Sequence, residues 1–161
     1  MNRIALCGKM GTGKSHVAGL PVPLGYRRLH FASPLKRAAA ELDPEPSREL
    51  LQALSEVTRR VEPRPLVEQM RRAVEAAGED SLVVDDLRFP DELKMLLDAG
   101  FAVVRIDAPL EVRLARLRAN GRLEGEQQLE HASEVALDHV ELPVVVNDGL
   151  TDEQLVEAVT A

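Results

Sequence analysis

The segment Gly8-Lys9-Met10-Gly11-Thr12-Gly13-Lys14-Ser15 fills every specified position of the pattern GxxxxGK[ST], and it stands directly after the short apolar run Arg3-Ile4-Ala5-Leu6-Cys7. Such a run reads as a parallel strand buried on both faces. The glycines permit positive φ angles, so backbone N–H groups can turn inward around phosphate oxygens, and the helix that follows adds unsatisfied N–H groups and its positive end. Gly8, Gly11, Thr12 and Gly13 are the expected cradle of ATP, with Lys14 bridging the β- and γ-phosphates and Ser15 ligating Mg2+. The alternative is a glycine-rich turn that binds nothing. Lys9 is expected to be solvated.

The rest of the chain alternates strands and helices, which points to a parallel α/β sheet. Pro21 and Pro23 follow Ser15 so soon that the helix leaving the loop should end near Ala18 or Gly19. Tyr26 to Ala32 is a weaker strand, and Leu35 to Leu42 a helix. Ser47 to about Ala77 is helical, divided in two by Pro63 and Pro65. Ser81 to Asp85 reads as a strand, Pro90 to Ala99 as a helix with Leu93, Leu96 and Leu97 on one face, and Phe101 to Ile106 as the next strand. Gly100 fits the stop between them. Leu110, Leu114 and Leu117 form the stripe of a further helix, Pro143 to Val146 the last strand, and Thr151 with Gln154 a capping box for the final helix.

With 161 residues, 45% apolar and 29% charged, the chain is expected to form one globular domain, 1–161. Three Phe, one Tyr and no Trp make its core aliphatic and leave no aromatic platform for stacked bases. A net charge of −7 argues against binding polymeric nucleic acid. Cys7 cannot form an internal disulfide, no signal-like segment opens the chain, and no apolar run approaches the roughly 18 residues of a membrane span. A cytoplasmic location is expected, with no membrane partner. The histidines are not at metal-binding spacings, so zinc is not expected.

A guanine-recognition motif Asn-Lys-x-Asp is expected of a GTPase after a late strand, whereas here the last strand runs into Asn147-Asp148-Gly149. The chain also lacks a transporter-type glycine signature. A small-molecule kinase remains.

Three further segments, together with the glycine loop, resemble the bacteriophage-type deoxynucleoside monophosphate kinases, a branch of the P-loop kinases. They are Phe31-Ala32-Ser33-Pro34-Leu35-Lys36, Asp86-Leu87-Arg88-Phe89-Pro90-Asp91-Glu92, and His131-Ala132-Ser133-Glu134 followed by Leu137-Asp138 and Asn147-Asp148-Gly149. The resemblance covers nearly the whole chain and rests on the order and spacing of these motifs. It implies a three-layer α/β fold with a five-stranded parallel sheet flanked by helices, a helical acceptor-binding region at about 34–78 and a mobile lid at about 118–130. The implied reaction is Mg2+-dependent transfer of the ATP γ-phosphoryl group to a deoxynucleoside monophosphate. If the chain is phage-encoded, the location becomes the host cytoplasm.

Physical chemistry gives the motif residues work. Asp86, just past the third strand, lies at the carboxyl edge of the sheet, where it can hold Mg2+ through water. Asp85 competes for that role because neighbouring strand residues alternate faces, although the family pattern favours Asp86. Either carboxylate can instead cap the helix at Pro90. Arg88 can clamp the acceptor phosphate in bidentate fashion or pair with Glu92 at i+4. Lys36 and Arg37 can approach the same phosphate, with a solvated helix face as the alternative for Arg37. The resemblance places Arg60 near the bound monophosphate, and Arg59 is expected to face solvent. Ser33 stands where the family is usually acidic and can still donate a hydrogen bond to phosphate or sugar. An ionised phosphate nucleophile needs no strong base.

In the lid, the resemblance assigns Arg118 and Arg122 to the transferring group ahead of Arg113 and Arg116, whose alternative is pairing with nearby acids. His131 and Glu134 are assigned to substrate, with a structural hydrogen bond the alternative for His131. Asn147 and Gly149 fall where the adenine of the donor rests, or form a simple turn. The expected catalytic set is therefore Lys14, Asp86, Arg88, Arg118 and Arg122, with Ser15 and Asp86 at the metal. Rival readings are a kinase of the dephospho-coenzyme A or phosphomevalonate type and a non-catalytic ATP-binding module. A homodimer is a further option.

Overall fold

β1 (Arg3–Cys7) lies at the centre of a five-stranded parallel sheet with the order β2-β3-β1-β4-β5, in which β2 is Arg27–Leu29, β3 Leu82–Val84, β4 Ala102–Asp107 and β5 Val144–Val146. The computed structural model describes residues 2–62, 64–121 and 135–161. β1 pairs with β3 in the register Ile4 to Val83 and with β4 in the register Leu6 to Val104. Ile4 to Cys7 and Leu82 to Val84 are buried without alternation, as strands covered on both faces must be. β5 pairs with β4, and its Val144 and Val146 are exposed.

Seven α-helices are described: α1 (Lys14–Gly19), α2 (Ser33–Leu42), α3 (Arg48–Val61), α4 (Arg64–Ala77), α5 (Pro90–Asp98), α6 (Leu110–Ala119) and α7 (Asp152–Thr160). α1 stops where the prolines require, and a short 3-10 turn at Val22–Leu24 takes the chain to β2. Val17 and Ala18 of α1 join Leu155 and Val159 of α7 against Ile4, Leu6, Val104 and Ile106 in one aliphatic cluster. Thr151 and Gln154 cap α7 reciprocally, with Gln154 N donating to Thr151 Oγ1 at 3.3 Å and Thr151 N to Gln154 Oε1 at 2.9 Å.

One helix turns differently from its sequence stripe: α5 buries Leu93, Met95 and Leu96 and leaves Leu97 52% exposed, and its inward face also carries the fully buried Glu92. α6 keeps its stripe, with Leu117 buried beside Arg113, whose guanidinium finds a main-chain acceptor, and Leu110 54% exposed as the first residue of the helix.

The chain divides into two compact units, one formed by Met1–Arg28 with Glu79–Ala161 and the other by Leu29–Gly78. The second unit contains the expected helical region, and α2 and α3 pack together within it. α4 buries Leu66, Met70 and Val74 at four-residue intervals.

Candidate functional site

The chain runs from β1 out to the edge strand β2, returns to β3 on one side of β1 and then crosses to β4 on the other. The glycine loop therefore leaves the carboxyl end of β1 at the point where the order reverses, the usual ligand position in open α/β sheets. Gly13, with φ 87°, is the N-cap of α1. Lys14 Nζ donates to the carbonyls of Gly8 and, at 2.8 Å, Lys9, which holds the ammonium within the loop. Thr12 is fully buried, and its hydroxyl donates to Lys9 O at 2.9 Å.

On the β3 side, Ser15 Oγ donates to Asp85 Oδ2 at 2.9 Å. Arg28 of β2 grips the same carboxylate with a fork, Nε to Oδ1 at 3.2 Å and Nη2 to Oδ2 at 2.5 Å. Asp85 is 5% exposed. Of the two carboxylates considered for the metal, Asp85 is the one that accepts from Ser15, and Asp86, the one the family pattern favours, is half-buried one residue further on. Alternation of side chains past the strand end allows one of the two neighbours to face the loop. A serine that gives its proton to a carboxylate turns its lone pairs outward, and a hydroxyl with a nearby carboxylate is an oxygen donor set that suits Mg2+ completed by phosphates and water. Among the described residues no group of three His, Cys, Asp or Glu side chains forms a protein-only metal cage.

On the β4 and β5 side the loop is held by its carbonyls. Arg113 Nε donates to Met10 O at 2.8 Å, and Asn147 Nδ2 donates to Thr12 O at 2.9 Å. Arg116 joins the two, with Nη1 on Thr12 O at 3.3 Å and Nη2 on Asn147 O at 3.0 Å. The approach is close enough to require glycine: a Cβ on Gly11 would lie 2.7 Å from Arg113 O, and one on Gly13 2.4 Å from Asn147 Nδ2. Asn147 was expected at the adenine, yet its amide is buried against the loop. Gly149, at φ 77°, is exposed in the turn after β5.

Lys9, expected in solvent, pairs with Asp138 at 2.8 Å. Arg105 of β4 approaches Asp138 at 3.6 Å and donates to the carbonyls of Leu137 and Val140, each at 2.8 Å. Cys7 lies beneath, its thiol pushed above the usual range by burial, against the opposing pull of Arg105 and Lys14.

The loop after β3 is built by Glu92. Its Oε2 accepts from the amides of Arg88 at 2.9 Å and Phe89 at 3.1 Å, so the carboxylate expected at substrate is fully buried in the start of α5. Arg88 is half-buried in that loop. In the second unit Ser33 opens α2, Lys36 and Arg37 are exposed on it, and on α3 Arg60 is exposed while Arg59 is half-buried. Arg118 is exposed in the last turn of α6. Arg122, His131 and Glu134, with most of the expected lid, lie outside the described residues. No described helix is long and apolar enough to cross a membrane.

Arg28, Arg113 and Arg116 were not foreseen as parts of the loop's surroundings. The available signal was the i, i+3 pair Arg113 and Arg116 on the face of α6 that also carries Leu117.

No family model matches the chain. A UPF0200 protein of Methanosarcina barkeri is 25% identical over 134 residues, which are 81% of this chain and 72% of that protein. Among solved structures, the tunicamycin resistance protein of Deinococcus radiodurans matches with a TM-score of 0.61 at 20% identity, covering 99% of this chain and 93% of that one. A gluconokinase from Sinorhizobium meliloti matches at 0.60 and 15%, covering 99% and 89%. The shikimate kinase of Aquifex aeolicus matches at 0.56 and 18%, covering 96% and 91%. Near-complete coverage of structures with this strand arrangement, around a GxxxxGKS loop at the sheet's switch point, gives the chain the P-loop kinase fold.

Proposed function

We propose that the chain is an ATP-dependent kinase whose acceptor is a small phosphorylated molecule, a deoxynucleoside monophosphate. The observation that carries this reading is the convergence of Lys14, Ser15 and the Asp85 carboxylate at the carboxyl end of β1. Gly8, Gly11, Thr12 and Gly13 hold the donor phosphates, and Ser15 with Asp85 holds the Mg2+ that accompanies them, in place of the Asp86 favoured by the sequence. The ion supplies charge neutralisation of the phosphates. Lys14 contributes a cation for the charge that spreads over the transferring group, and preorganised charge of this kind dominates phosphoryl transfer.

Arg88 supplies the acceptor's clamp in this reading. Glu92 fixes its main chain, so the guanidinium projects from a rigid loop rather than a floppy one. Ser33, Lys36, Arg37 and Arg60 are carried as further acceptor contacts, Arg118 and Arg122 as lid contacts, and His131 and Glu134 as substrate contacts. Gly149 remains at the adenine, while the Asn147 side chain is assigned to the loop. An acceptor that already carries phosphate is favoured over a neutral sugar or shikimate-like acid by this supply of arginine.

Release of ADP with the purified chain, measured across the deoxynucleoside monophosphates, dephospho-coenzyme A, phosphomevalonate, gluconate and shikimate, tests the reading. Turnover restricted to monophosphates supports it. Turnover on an unphosphorylated acceptor overturns the substrate class, and ATP binding without turnover on any acceptor favours a non-catalytic module.

A further inference from the structure

The Arg28–Asp85 pair differs from the exposed ion pairs among the described residues. Arg64–Glu62 and Lys94–Asp98 join side chains that are at least 42% exposed, where water screens the charge and the contact stabilises little. Arg28 is 28% exposed and Asp85 5%. The fork engages both carboxylate oxygens, and Oδ2 also accepts from Ser15. Asp85 thus stands between the hydroxyl offered to a metal and a guanidinium that cancels its charge. Lys14 adds a second cation inside the adjoining loop.

We propose that Arg28 is a positioning residue that keeps the Ser15–Asp85 pair from taking up a divalent cation until nucleotide phosphates bring one. The inference rests on the metal role given to that pair under Proposed function. A bare divalent ion meeting one carboxylate together with Arg28 and Lys14 finds no net negative charge to bind. A triphosphate seated in the loop reverses that sum and satisfies Lys14, so metal and nucleotide enter together. The fork also fixes the carboxylate plane, which keeps Oδ2 on the Ser15 hydroxyl and the serine lone pairs directed away from it. Arg28 acts through Asp85 and need not touch substrate.

The test is Mn2+ binding to the full chain without nucleotide, read as loss of the free-ion electron paramagnetic resonance signal, beside thermal unfolding with and without Mn2+. Arg28→Gln removes the cation and leaves Asp85 buried and uncompensated. It should bind Mn2+ alone about tenfold tighter or better than the unmodified chain, from the loss of a unit charge a few ångströms away. Added Mn2+ should raise its unfolding temperature more than that of the unmodified chain, by mass action. Arg28→Lys keeps the charge and should stay within about threefold of the unmodified chain. An Arg28→Gln protein with unchanged Mn2+ affinity, or an Arg28→Lys protein as tight as Arg28→Gln, overturns the proposal. Should Arg28→Gln not fold, the unmodified chain decides: no saturable Mn2+ uptake is expected without nucleotide, and saturable uptake there overturns the proposal. ATP binding in the presence of Mg2+, measured on the unmodified chain, keeps the two readings apart: its absence defeats the proposed function whatever Mn2+ alone does.

Discussion

The two flanks of the glycine loop are built from different kinds of contact. Towards β3 the partners are side chain to side chain: a hydroxyl, a buried carboxylate and a guanidinium fork. Towards β4 and β5 they are side chain to main chain: Arg113, Arg116 and Asn147 each donate to loop or strand carbonyls. In the proposed reading, the first flank gathers charge for a reacting phosphate and its metal. The second spends its donors on holding Met10 and Thr12 by their oxygens, which leaves the loop's conformation less dependent on a ligand. Preorganised donors act without reorganising at the moment of reaction, so the quiet flank serves the chemical one.

This contrast predicts that damage to the β3 flank and the loop lysine appears in turnover, and damage to the other flank in stability and affinity. The largest effect is expected from Lys14→Ala, a loss of about 100-fold or more in kcat with the fold retained. Near-normal kcat in the folded variant would remove the loop from the chemistry altogether.

Next comes Arg88→Lys, which keeps the charge and loses the bidentate fork. We expect kcat/KM for the monophosphate to fall by about 10- to 150-fold with ATP affinity unchanged, corresponding to a charge-assisted contact of about 1.5–3 kcal/mol. Equal loss of ATP binding would put the acceptor phosphate elsewhere. Asp85→Asn should raise the Mg2+ concentration for half-maximal activity by about tenfold, as one lost charge at the ion's water shell implies. Asp86→Asn should raise it much less, and a titration giving the reverse order would restore the sequence's preference for Asp86.

The smallest effect is expected from Arg113→Met, which keeps the apolar stem and removes the Nε–H donated to Met10 O. Unfolding should become easier by about 0.5–1.5 kcal/mol, the net worth of one hydrogen bond. ATP affinity should fall by less than the changes above, and kcat at saturating ATP should hardly move. A large drop in kcat with stability intact would show that the two flanks are not separate in function.

Much of the fold was legible because it follows from local rules. The continuous apolar runs of β1 and β3, the prolines that end α1 at Gly19 and the reciprocal cap of Thr151 and Gln154 are each set by residues adjacent in sequence. The glycine loop was legible for the same reason, since eight consecutive residues carry its whole pattern. That Asp85 and not Asp86 bonds Ser15 was not, because it depends on which way the chain turns past Val84 relative to a serine seventy residues earlier in sequence. The contacts of Arg28, Arg113 and Arg116 were not foreseen, because the spacing of Arg113 and Arg116 marks only a shared helix face and an arginine that bonds a carbonyl or a distant carboxylate has no sequence signature at its partner. Leu97 misled for a related reason: a helix stripe marks an apolar face, but the inward face of α5 also seats Glu92, whose carboxylate finds its partners there, while Leu110 shares the face of Leu117 and is exposed because it begins α6. The sequence by itself determined the strands, the helices and the loop that binds phosphate in our reading. Only the tertiary structure decided which charges meet at that loop, because those meetings join residues that share no local pattern and come together when the sheet assembles.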